Sequence, residues 1–228
     1  MSTIEERVAD IRRRVAQAAD EAGLSAPVTL VAAAKTADAA RVREAVRAGV
    51  DAVGENRVQE MCEKDAQSAY EGVPLHFIGR LQTNKVNKVV GRAALIHSVD
   101  TLGLADAVER CARSLGIVQS VLVQVNIAGE ASKGGFAPVA LVDALKTMSA
   151  LGHIRVEGLM CIPPPLRSKD DTQYFVDMRQ LHIDISRKRI HNIRMDFLSM
   201  GMSDDFEQAV RAGANIIRVG SALFGPRS

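Results

Sequence analysis

The chain has 228 residues, 47% of them hydrophobic and 25% charged, and a formal net charge of +2. That length and balance suit a single globular α/β domain with a sizeable core, and so small a charge gives no field to draw nucleic acid to the surface. No apolar stretch approaches the roughly 20 residues of a membrane span, and Cys62, Cys111 and Cys161 lack the spacing of a zinc site or a disulfide framework.

The cysteines read as buried or half-buried thiols in a reducing compartment, so a cytoplasmic protein is expected. Aromatic residues are only 4%, with no Trp, which leaves Ala, Val, Leu and Ile to fill the core. That composition suits a parallel sheet covered on both faces.

In chain order, the first segment is amphipathic. Ile4, Val8, Ile11 and Val15 repeat at helical spacing, and Ser2-Thr3-Ile4-Glu5-Glu6 holds two overlapping capping boxes. Its arginines suggest a transit peptide, but Glu5, Glu6, Asp10 and Asp20 interrupt it, so it reads as a helix of the mature fold. Strand-like segments follow at 28–35, 52–56, 75–80, 95–99, 121–126, 155–162, 197–200 and 216–220. Helix-like segments lie between them at 38–48, 57–70, 84–91, 102–115, 138–151, 171–189 and 204–212. Gly49, Gly116, Gly152 and Gly213 stand just past four of these helices, where helix stops belong.

Eight strands separated by seven helices give the count of a (β/α)8 TIM barrel, with the N-terminal helix filling the place of the missing eighth. A doubly wound open sheet is the alternative, because counting does not show closure. In a barrel the chemistry stands at the carboxyl ends of the strands. Here those positions are Lys35, Glu55-Asn56, Gly79-Arg80, Ser98, Asn126, Pro163, Ser199-Met200-Gly201 and Gly220-Ser221. An amine such as that of Lys35, half-desolvated at a strand end, loses its proton more easily and can attack an aldehyde. The plainer reading of a lone lysine there is a side chain reaching into solvent.

The segments after the last two strands, Ser199-Met200-Gly201-Met202-Ser203 and Gly220-Ser221, carry the Gly and Ser that let backbone N–H groups approach a phosphate. Taken singly, each is equally an ordinary turn. Arg218 alternates onto the face of Ile216 and Gly220, which points it into the barrel. A buried guanidinium stays charged and needs an acceptor, either an inward carboxylate or a ring nitrogen of a ligand.

A lysine, a phosphate cradle and a buried arginine together describe a pyridoxal 5'-phosphate site. The chain also resembles the pyridoxal phosphate homeostasis proteins (the YggS/PROSC family), whose fold is similar to the barrel of the alanine racemase N-terminal domain. The resemblance runs nearly end to end. It is carried by Val31-Ala32-Ala33-Ala34-Lys35-Thr36, Gly54-Glu55-Asn56-Arg57, His76-Phe77-Ile78-Gly79-Arg80-Leu81-Gln82-Thr83-Asn84-Lys85, Ser132-Lys133-Gly134-Gly135-Phe136, Leu198-Ser199-Met200-Gly201 and Arg218-Val219-Gly220-Ser221. It implies that Lys35 carries the cofactor as a Schiff base and that Arg218 faces the pyridine nitrogen. It further implies that Ser199, Gly220 and Ser221 hold the phosphate, that Met200 also belongs to the cofactor site, and that Asn56 and His76 line the pocket. Ala34 departs from the pattern, since many relatives carry Ser there, and this would remove a hydroxyl near the Schiff base.

The resemblance implies a binding protein that stores, buffers or delivers the cofactor in vitamin B6 homeostasis, without robust turnover. Its partners would be pyridoxal phosphate and apo-forms of the enzymes that use it. A weak amino-acid racemase is the alternative, and a barrel enzyme acting on a phosphorylated metabolite is a third reading. Racemization needs two acid/base groups on opposite faces of the substrate, and only Lys35 can be named. Tyr70 and Tyr174, the only tyrosines, fall in helix-like stretches away from the rim. No long apolar helix face is left unassigned to the barrel, which favours a monomer. The loop from Gly129 to Gly135 is read as a cover for the pocket, or as the carrier of a second amine, Lys133, near its exit.

Overall fold

The computed structural model describes residues 2–130, 133–165 and 172–225. Eight parallel strands close into a barrel in chain order, the last pairing back onto the first. They are β1 (Thr29–Ala33), β2 (Ala52–Glu55), β3 (Leu75–Phe77), β4 (Leu95–Val99), β5 (Gln119–Val125), β6 (Ile154–Cys161), β7 (Ile193–Ser199) and β8 (Ile216–Val219). Closure rules out the open sheet. The α-helices are α1 (Ile4–Glu21), α2 (Ala39–Arg47), α3 (Val58–Asp65), α4 (Val86–Val89), α5 (Leu102–Leu115), α6 (Leu141–Met148), α7 (Gln173–Arg187), α8 (Phe206–Arg211) and α9 (Ser221–Phe224). No helix among the described residues is long and apolar enough to cross a membrane.

Of the two possible capping boxes, Thr3 and Glu6 form the real one. The Glu6 N–H donates to Thr3 Oγ1 at 3.1 Å and the Thr3 N–H to Glu6 Oε2 at 2.9 Å, satisfying two N–H groups that a helix start leaves open. α1 then buries Ile4, Val8 and Ile11, each contributing about 1.5–3 kcal/mol. It packs against α2, α8 and α9, the expected place of the eighth outer helix. Arg14 locks this docking with two bonds to Glu207, at 3.1 and 3.0 Å, while its guanidinium lies over the Phe206 ring.

Several boundaries differ from the sequence reading. β1 stops at Ala33, two residues short of Lys35. α3 ends at Asp65 rather than at Tyr70, because the chain turns through Ser68 in the left-handed region. β7 begins at Ile193, where exposed Arg194 and Asp196 hide the strand signal. Gly49, Gly116 and Gly213 take the positive φ of a helix stop, but Gly152 does not. α6 has already ended at Met148, before that glycine is reached.

The core has two compartments. The larger lies between the sheet and the helices. The smaller fills the barrel with Val31, Ala52, Leu95, Leu122, Met160 and Ile216, packed against Phe197. Buried polar side chains lie on the strands as well, His76, His97, Ser199 and Arg218 among them.

Candidate functional site

A cavity of about 240 Å³ opens at the carboxyl ends of the strands, between the exits of β1, β2 and β8. Lys35, Asn56, Arg218, Gly220 and Ser221 all line it, so five of the eight residues expected at the site come together. Lys35 reaches it from a turn rather than from a strand. The Ala37 N–H donates to the Ala34 carbonyl at 3.0 Å, which places Lys35 and Thr36 at the two central positions of a β-turn. Thr36 takes φ +70°, the value a type II turn requires at its third residue. The Lys35 side chain is exposed, not half-buried as expected. Ala34 does not line the cavity, and its methyl group is buried in the outer core. The absent hydroxyl therefore leaves the cavity wall unchanged.

Beneath this turn lies a support that sequence reasoning missed. Lys64, on α3, donates to the Ala34 carbonyl at 2.8 Å and to Glu55 Oε1 at 2.8 Å. Tyr70 donates its hydroxyl to the same Glu55 oxygen at 3.1 Å. Glu55 is fully buried, and burial pushes its carboxyl above the ordinary range although Lys64 and Tyr70 pull the other way. The other Glu55 oxygen has no partner among the described residues. The signal in the sequence was a lysine on the inner face of an amphipathic helix.

Arg218 forms the floor. It is 4% exposed, and burial lowers its pKa, yet a guanidinium keeps its proton at ordinary pH. Nη1 donates to Ser199 Oγ and Nη2 to the Cys161 carbonyl at 2.9 Å. Two of its five N–H donors are thus used, and three have no partner among the described residues. Asp205 acts on it only at a distance, and it forms no ion pair among the described residues. A buried cation without a carboxylate is costly. The inward carboxylate considered from the sequence is absent among the described residues.

Gly79 fixes the wall by Asn56, since a Cβ there would stand 2.0 Å from the Asn56 carbonyl oxygen. At the exit of β8, the N–H groups of Gly220 and Ala222 both donate to Ser203 Oγ, at 3.1 and 3.2 Å. Ser203 thus organises this wall, and Ser221 lines the cavity beside it.

Three expected residues lie elsewhere. Ser199 is fully buried on the inner face of β7, bonded to Arg218 and His97 rather than open to the rim. Met200, the next residue, alternates outward and packs into the outer core. His76 sits at the other end of the barrel, lining a hollow of about 330 Å³ with Pro74, Leu95 and Phe197. That hollow is larger, but it opens at the amino ends of the strands, the face that serves stability in barrels.

The described part of the loop after β5 approaches the cavity. Lys133 Nζ pairs with Glu130 at 2.8 Å and lies 3.4 Å from the carbonyl of Ile162, which lines the cavity. Ala131 and Ser132 lie outside the described residues. No carboxylate lines the cavity among the described residues, and no group of three potential metal ligands occurs among them. An amine, a buried cation and a hydroxyl around a small carboxylate-free cavity suit a compact anionic ligand with an electrophilic carbon and a ring acceptor.

The architecture is that of a small-ligand barrel of the alanine racemase type. Residues 7–228 match the family described as alanine racemase, N-terminal domain. A solved alanine racemase of Clostridium difficile, in complex with cycloserine, shares the fold with a TM-score of 0.71 at 17% identity, over 96% of this chain and 60% of that one. Full-length relatives are more specific. A curated pyridoxal phosphate homeostasis protein of Aquifex aeolicus is 41% identical over 97% of both chains. PipY of Synechococcus elongatus PCC7942, solved with PLP bound, is 35% identical with a TM-score of 0.85, over 98% of this chain and all of that one. This chain belongs to the pyridoxal phosphate homeostasis protein family.

Proposed function

We propose that this protein binds pyridoxal 5'-phosphate and serves its homeostasis by holding and releasing the cofactor. The observation that carries this reading is the pairing of Lys35 with Arg218 across one carboxylate-free cavity. The cofactor supplies an aldehyde that an amine captures reversibly, and Lys35 is the amine offered by the β1 turn. Arg218 would donate an N–H to the pyridine nitrogen, which relieves the guanidinium of its missing acceptor. Ser221 would bind the phosphate through its hydroxyl and its own N–H, with Asn56 closing the side toward β2. Solved PipY, with PLP bound, supports the choice of ligand.

The same residues argue for a carrier over a racemase. A guanidinium at the ring nitrogen leaves that nitrogen unprotonated, which weakens the ring as an electron sink. Among the described residues, Lys35 is the one side chain lining the cavity that can act as an acid/base. Tyr70 is buried beneath the β1 turn against Glu55, and Tyr174 lies on α7. The second proton-transfer group of a racemase therefore has no candidate in the cavity. As part of this reading the protein acts in the cytoplasm as a monomer, and apo-enzymes are its recipients.

The test is a titration of the apo-protein with pyridoxal phosphate, followed by two assays of the loaded protein. Saturable binding at one site, transfer to an apo-enzyme and no turnover of D- or L-alanine are expected. Sustained racemization would replace the carrier reading with the enzymatic one. Lys133→Ala adds a finer arm, because a second amine near the exit would make transfer effectively intramolecular. If Lys133 relays the aldehyde, the variant transfers more slowly while binding is unchanged. If it only covers the pocket, the transfer rate stays at wild type.

A further inference from the structure

We propose that His97 is a positioning residue for Arg218, acting through Ser199 as part of a hydrogen-bonded row that threads the barrel interior. The inference rests on the reading of Arg218 as the partner of the ring nitrogen.

The row draws one residue from each of four strands. His76 on β3 meets His97 on β4, Nδ1 to Nε2, at 3.1 Å. His97 Nδ1 meets Ser199 Oγ on β7 at 3.0 Å, a contact that crosses the barrel between residues 102 apart in sequence. Ser199 Oγ then accepts from Arg218 Nη1 on β8. His97 and Ser199 are completely buried, and His76 is 7% exposed.

Donor accounting fixes the direction of the row. The guanidinium can only donate, so Ser199 accepts from it. If Ser199 gives its own proton to His97 Nδ1, then His97 donates from Nε2 to His76 Nδ1, and every interior donor has an acceptor. The opposite direction would leave the Ser199 hydroxyl proton with no acceptor among the described residues, in a fully buried place where that is costly. The favoured direction leaves a proton on His76 Nε2, and His76 borders the hollow at the amino ends of the strands. The row therefore needs no further buried partner.

The chemistry excludes a proton wire, because the guanidinium at its upper end does not release a proton. Burial also holds both imidazoles neutral, His76 down to about 4 and His97 well below its ordinary value. What the row transmits is orientation. A serine alone could rotate its hydroxyl and let the guanidinium swing. Held by His97, Ser199 offers Arg218 a fixed lone pair, and with the Cys161 carbonyl it pins both terminal nitrogens. The guanidinium is then held in one orientation at the floor of the cavity.

The experiment compares two probes: pyridoxal phosphate, and its carbocyclic analogue with C–H in place of the ring nitrogen. Wild type should prefer pyridoxal phosphate by about tenfold, the scale of one hydrogen bond to a charged group. In His97→Leu the preference should fall toward parity, while analogue binding stays within about twofold of wild type, as one lost contact implies. His97→Gln, whose amide oxygen can accept from Ser199, should restore the preference. Ser199→Ala makes the same test with little change in volume, should His97→Leu fail to fold. A general structural loss would weaken both probes together. A folded His97→Leu or Ser199→Ala that keeps the wild-type preference overturns the inference alone. No preference in wild type overturns the Arg218 reading and this inference with it.

Discussion

At Lys35 the backbone sets the position of the amine. The lysine occupies a tight turn whose next residue, Thr36, sits at φ +70°. A β-branched side chain is strained there, at a cost of about 1–3 kcal/mol. Thr36→Gly should therefore raise the stability of the apo-protein by about 1 kcal/mol, once the greater entropy of an unfolded glycine is deducted. Thermal unfolding of the two proteins measures it. Arg218 is the second decisive residue. Arg218→Glu would set a carboxylate against the Cys161 carbonyl, with Ser199 left as its one donor. Cofactor affinity should drop at least tenfold, the scale of one charged hydrogen bond, and the absorption spectrum of the bound form should change. Titration followed by absorbance checks both. A place at the cavity was readable from residue type and order for Lys35 and Arg218. It was not readable for Ser199, Met200 and His76. Around β7 the alternation of a strand decides inward or outward, so Ser199 turns into the barrel and Met200 away from it. His76 belongs to a short strand whose start lies at the opposite mouth of the barrel, which the order of residues alone does not reveal.

At the scale of elements, the β1 turn depends on α3. Lys64 ties the Ala34 carbonyl to the buried Glu55 carboxylate, so the loop carrying the amine is fastened to the β2–α3 unit. Lys64→Met leaves the buried Glu55 carboxyl without its cation, and should cost about 3–5 kcal/mol. Combining it with Glu55→Gln should recover part of that loss, because the unpaired carboxyl is gone. Urea unfolding of the single and double variants gives the coupling directly. Most element positions were legible from apolar runs and helix stops. The exceptions have local causes. The first half of β7 alternates with exposed charge, and α3 is cut short so that Tyr70 can turn inward to Glu55. The latter is a tertiary demand with no local signature.

For the whole molecule, burial of histidines sets the response to acid. His76 and His182 are both held near 4 by burial, against an ordinary value of 6.5. Above about pH 6.5 both are neutral, folded or unfolded, and the stability they permit is fully present. As pH falls through the window from 6.5 to about 4, the unfolded chain takes up protons that the native fold refuses, and stability is lost. Each histidine accounts for roughly 3 kcal/mol over that window. Burial raises the carboxyls of Glu55, Asp100 and Asp205 and so acts in the opposite sense above their ordinary range. The upper part of the window therefore belongs to the histidines. Urea midpoints should fall steadily from pH 7 to pH 5, and His182→Leu should flatten that slope by about one proton. The barrel itself was legible in the count and spacing of its elements, because each strand–helix unit repeats the same local pattern. Its closure was not, since that depends on β8 meeting β1 across nearly the whole length of the chain. The central claim concerns the place where the cofactor is captured. Borohydride reduction of the protein loaded with pyridoxal phosphate, followed by peptide mapping, tests it most directly. The adduct should lie on Lys35, and Lys35→Ala should fold normally yet lose both the adduct and the yellow colour. Equal trapping in Lys35→Ala, or an adduct mapped to another lysine in the wild type, would contradict the account.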